Sequence, residues 1–115
     1  MMFWYVDDIS GLKAMLGFQA RWRYEKSREF PHDARNHLAC KAFERMADEV
    51  DNGDFNEDLA KRLIELMDVA DGDAESAELI SEILREVGFG YAPASVDDLI
   101  GRLIRALEPA EPATA

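Results

Sequence analysis

Leu12, Met15, Phe18 and Trp22 step along the chain by three, three and four residues, which lays four apolar side chains on one stripe of a helix. Asp7 or Asp8 stands just ahead as an N-cap, and the spacing predicts a helix to about Ser27. Pro31 steers Phe30 out of helical geometry and suits the first turn of a second helix, which carries Ala39, Ala42, Phe43, Met46 and Val50 inward and stops at Asp51-Asn52-Gly53. Asn56 is placed to cap a third helix, with Glu57 and Asp58 in its first turn and Leu59, Leu63, Leu66, Met67 and Ala70 on its core face. Asp71-Gly72-Asp73 breaks that helix and caps a fourth, with Leu79, Ile80, Ile83, Leu84 and Val87 inward, and Gly88 and Gly90 end it. Ser95 and Asp98 resemble a capping box ahead of Val96, Leu99, Ile100, Leu103 and Leu107.

The fold class that follows is all-α: a compact bundle of about five helices whose short connections make neighbours mostly antiparallel. Residues 2–6, MFWYV, find no second strand-like run and are read as a short extended aromatic N-terminal arm. A chain of 115 residues supports one core, so residues 1–107 are expected to form a single helical domain and residues 108–115, EPAEPATA, a disordered tail.

Charge changes this picture more than composition does. Apolar residues at 48% and charged residues at 32% fit a folded chain, yet the net charge of -11 is unevenly laid out. Residues 1–45 hold eight Lys/Arg and six Asp/Glu, whereas residues 46–115 hold five and eighteen. The acidic part repels phosphate backbones, so direct nucleic-acid binding is not expected and an electrostatically chosen partner is a basic protein surface. Residues 74–86, read as a recognition helix, would set Glu75, Glu78, Glu82 and Glu86 against one Arg85. Near the N-terminus, Arg21, Arg23, Lys26, Arg28 and Arg35 interleave with Trp22, Tyr24 and Phe30, a mixture able to bind single strands. Assigning Trp22 to the core stripe, with Glu25, Glu29 and Asp33 diluting the charge, sets that reading aside. Cys40 stands alone and forms no internal disulfide, and the opening MMFWYVDD has neither a basic leader nor a spanning run, so a cytoplasmic protein off the membrane is expected.

Two twelve-residue windows, DFNEDLAKRLIE from Asp54 and DGDAESAELISE from Asp71, carry acids or amides at positions 1, 3 and 5 and Glu at position 12, like calcium loops. Position 6 must be a glycine in such loops, and here it is Leu59 or Ser76, so the acids are assigned to helix starts and no metal is expected. The stretch from Leu59 to Gly90, with the phrase GDAESAELISEILREVGFG, resembles an acyl carrier protein around its prosthetic-group helix. Setting Glu78-Leu79 on the family's Glu-Leu puts Asp73 where a carrier has the serine that accepts phosphopantetheine, with Ser76 three residues out of register. That resemblance implies no attachment point, and no cofactor is expected.

His37, Cys40 and Glu44 fall at i, i+3 and i+7 on the second helix, a ligand-like spacing opposite its apolar stripe but without the fourth group that zinc needs. No catalytic residue is assigned. The leading expectation is a non-enzymatic protein–protein interaction module presenting Asp48, Asp51, Asp54, Asp58, Glu65 and Asp68 to a basic partner, as an inhibitor or nucleic-acid mimic. Phe3, Trp4 and Tyr5 would serve as a self-association arm that makes a homo-oligomer. The alternative is a small helical-bundle enzyme or metal- or ligand-binding protein using the His37, Cys40 and Glu44 face.

Overall fold

The computed structural model describes residues 8–108, and these form an all-α bundle of five helices. They are α1 (Ile9–Glu29), α2 (Ala34–Asp51), α3 (Glu57–Val69), α4 (Ala74–Glu86) and α5 (Val96–Leu107). The arm residues Phe3, Trp4 and Tyr5, and the tail from residue 109, lie outside the described residues. Glu108 closes α5, donating its backbone N–H to the Ile104 carbonyl at 2.8 Å.

Each helix starts at a side chain that accepts from its first exposed N–H groups. Asp8 accepts from Gly11, Asp33 from Arg35, Asn56 from Asp58 and Leu59, Asp73 from Ser76, and Ser95 from Asp98. Such a cap stabilises a helix by about 1 kcal/mol. Asp33 corrects the expected start of α2. Its carboxylate also holds the Arg35 guanidinium at 2.7 and 2.8 Å, so the helix begins at Ala34 and Pro31 is left in the connecting turn. The Ser95 box is modified as well, because Asp98 reaches past the cap residue to accept from the Ala94 N–H at 2.8 Å.

The core is built on α5, whose Val96, Leu99, Ile100, Leu103 and Ile104 are all buried, each contributing roughly 2 kcal/mol by leaving water. α5 packs against α3, α4 and α2, while α1 lies along α2. α1 is rotated from its expected orientation: Phe18 is 41% and Trp22 38% exposed, and the buried line is Leu12, Met15, Leu16, Gln19, Ala20 and Arg23. Moving one residue around a helix turns the buried face by about 100°. Small Ala20 and Ala39 lie in the core, and bulky Trp22 is displaced toward solvent.

Gly88 fixes the α4–α5 connection against α2. Its φ is +83°, and a Cβ there would sit 2.6 Å from the Arg35 carbonyl oxygen and 2.9 Å from the Ala39 Cβ. Gly17, by contrast, is helical and faces open space. Gly88→Ala is expected to destabilise the protein by about 2 kcal/mol or more, and Gly17→Ala to stabilise it by about 0.5–1 kcal/mol, both read from urea unfolding midpoints.

Candidate functional site

The six carboxylates of the expected acidic surface are all exposed. Asp48 and Asp51 lie on the last turns of α2, Asp54 in the α2–α3 connection, Asp58 in the first turn of α3, and Glu65 and Asp68 further along it. Asp58 and Glu65, seven residues apart, share one face of α3. Positive charge reaches this shoulder at Asp51 and Glu65. Lys13 of α1 pairs with Asp51 at 2.7 Å, and Arg62 lies 3.7 Å from Glu65 and 3.5 Å from Glu108. Pairs this open to solvent contribute about 0–1 kcal/mol and leave the local potential negative.

Other acids in the region hold the fold. Glu49 accepts the Val96 N–H at 2.9 Å and Asp97 accepts the Asn56 N–H at 2.8 Å, which locks the starts of α3 and α5 to the end of α2. Asn56 and Asp73 act as helix caps inside the two calcium-like windows, and most of the remaining window residues are helical. Among the described residues no three His, Cys, Asp or Glu side chains gather in a way that would hold a metal.

The His37, Cys40 and Glu44 face does not form as expected. Cys40 is 5% exposed and belongs to the buried side of α2, whereas His37 and Glu44 are exposed. The thiol donates to Glu44 Oε1 at 3.2 Å, and burial, reinforced by the Glu44 carboxylate, pushes its pKa up to about 11. A thiol held in its protonated form is a poor nucleophile and a poor metal ligand.

The most unusual chemistry lies elsewhere, around Arg23. This side chain is 2% exposed, and no carboxylate among the described residues bonds to it. Its guanidinium donates instead to the Leu84 carbonyl at 3.0 Å, to the Arg85 carbonyl at 2.8 Å and to Asn36 Oδ1 at 3.4 Å. Leu84 and Arg85 are in the last turn of α4, where carbonyls lack helical partners and the dipole is negative. Val87 turns extended at the end of α4, so Arg23 supplies the cap that the backbone does not. Burial lowers its pKa, but a guanidinium remains charged at neutral pH.

Aromatic rings surround this charge. The Trp22 and Phe89 rings lie 5.1 and 5.0 Å from the Arg23 guanidinium, and Arg35 stacks on Phe89 at 4.4 Å. Lys26 approaches Trp22 and Phe30 at 6.0 and 5.8 Å. Trp22, Arg23, Lys26, Phe30 and Phe89 line an open cavity of about 390 Å³ together with Arg85. A second cavity of about 630 Å³ lies on the other side of Gly88, between Leu38, Lys41 and Arg45 of α2 and Tyr91 and Pro93. Burial and the nearby Asp98 carboxylate push the pKa of the Tyr91 hydroxyl up to about 12.

Sequence reasoning missed the Arg23 cluster because it counted Trp22 as core. The interleaved aromatics and cations were the visible signal. No protein-family model, curated protein or solved structure matches this chain. Among the described residues, no helix is long and apolar enough to cross a membrane.

Two outcomes follow from this geometry. Arg23→Met, which keeps the stem and removes the donors, is expected to lower unfolding stability by about 3 kcal/mol, because the buried Leu84 carbonyl and the part-buried Arg85 carbonyl lose their partner. Native Cys40 is expected to react with iodoacetamide far more slowly at pH 8 than the urea-unfolded thiol, with the native rate rising toward pH 11, as followed by mass spectrometry.

Proposed function

We propose that this chain is a non-enzymatic interaction module whose acidic shoulder, from the end of α2 through α3, docks on a basic protein surface. The observation that carries this reading is the exposure of Asp48, Asp51, Asp54, Asp58, Glu65 and Asp68 in a stretch, residues 48–82, whose sequence contains thirteen acids and two cations, Lys61 and Arg62. Charge crowding of that density opposes compaction, and a cationic partner would relieve it. A partner that normally handles DNA or RNA would meet carboxylates where it usually meets phosphates, making the module an inhibitor by mimicry.

Capture from native lysate at about 0.05 M salt is expected to retain basic proteins, and retention should fall at least about tenfold by about 0.3 M salt as screening shortens. The double variant Asp58→Lys/Glu65→Lys, with unchanged helical circular dichroism, should lose them. Retention that ignores both salt and charge reversal would reject the acidic shoulder as the binding surface.

A further inference from the structure

Arg23 leaves its Nε–H over. Its terminal nitrogens reach Leu84, Arg85 and Asn36, but the buried Nε–H has no hydrogen-bond partner. An unmade hydrogen bond from a buried cationic group is costly, and such a group in a native protein calls for an explanation. Arg23 lines the 390 Å³ cavity, whose rim adds two more cations, Lys26 and Arg85. Asp33, which lines the cavity, and Glu29, beside Lys26, are already engaged. Asp33 is held by the Arg35 guanidinium, which keeps its pKa down at about 2, and Glu29 sits 3.1 Å from Lys26.

We propose that this cavity is a binding site for an aromatic carboxylate: a planar ring packed among Trp22, Phe30 and Phe89, with its acid group turned toward Arg23 Nε–H, Lys26 and Arg85. The rings specify the body of the ligand. Trp22, Phe30 and Phe89 are 38%, 52% and 36% exposed, and such surfaces are normally covered when they line a concavity. The charge specifies the head. The leftover Nε–H with two rim cations suits a monoanion, whereas a phosphate dianion would meet the lining carboxylate Asp33 and the field of a chain with net charge -11. Arg23 Nε is fully covered, so the Phe89 ring, which is on the α4–α5 connection, has to shift for an oxygen to reach it. The site is separate from the acidic shoulder and does not depend on the function proposed for it.

The ligand can be a free small acid or the C-terminal residue of a peptide, and two probes separate these sources. The full chain would be titrated with N-acetyl-phenylalanine, and with a hexapeptide ending in phenylalanine with a free carboxylate, each beside its C-terminal amide. The readouts are the Trp22 indole N–H and Arg23 Nε–H resonances in proton–nitrogen spectra. Either acid should move both signals and bind about tenfold more tightly than its amide. The tighter of the two acids identifies the source. Lys26→Gln/Arg85→Gln should weaken the acid by about tenfold while leaving the thermal midpoint and the unliganded Arg23 signal in place. Equal binding of acid and amide, an unmoved Arg23 Nε–H, or tighter binding of adenosine monophosphate than of either acid would each overturn the assignment.

Discussion

The end of α4 presents carbonyl oxygens that its own backbone leaves without donors, and the guanidinium of Arg23 reaches them from α1, 61 and 62 residues earlier in the chain. Much of one end of the molecule is arranged around this contact. Burying Arg23 rotates α1, which turns Phe18 and Trp22 outward. It also brings Phe89 and Arg35 into a stack over the charge. A buried cation is ordinarily balanced by a carboxylate, but here the negative end of a helix dipole and two carbonyls supply the balance.

Acidic residues do two different jobs in this chain. Asp8, Asp33, Asp73, Glu49, Asp97 and Asp98 point at backbone N–H groups and define where helices begin. The six shoulder carboxylates are exposed, and the pairs at Asp51 and Glu65 are open to solvent. The net charge of -11 therefore overstates the acidity available for recognition, although the remaining density is still concentrated on α3 and its approaches. The Arg23 cavity gives the molecule a second surface of opposite character.

Helix number, and every helix start but that of α2, were legible because they are local. Asn56, Asp73 and Ser95 sit one residue before the helices they cap, and a dozen residues of context are enough to see it. The stripes of α3, α4 and α5 were legible to within a residue or two, with Leu59, Leu79 and Leu107 half-buried where full burial was expected. α1 was misread because Trp22 and Phe18 outweigh Gln19 and Arg23 on any hydrophobicity scale, while packing against α2 chose the latter. Cys40 was misplaced for a related reason: a small thiol fits the α2 core beside Ala39 and Phe43, and only the neighbouring helices decide which side it takes. Of the candidate surfaces, the exposed acids could be read from composition. The Arg23 site showed only its α1 portion, the interleaved cations and aromatics, since its other parts come from α2, α4 and the α4–α5 connection.

The position of α5 has a bearing on how the protein is made. Its stripe is the common surface for α3, α4 and part of α2, yet it is synthesised after the other four described helices. A nascent chain with four helices outside the ribosome still has the apolar faces of α3 and α4 open to solvent. Closure therefore waits until α5 has been translated. A chain cut before Leu103 would leave those faces for chaperones and proteases to find.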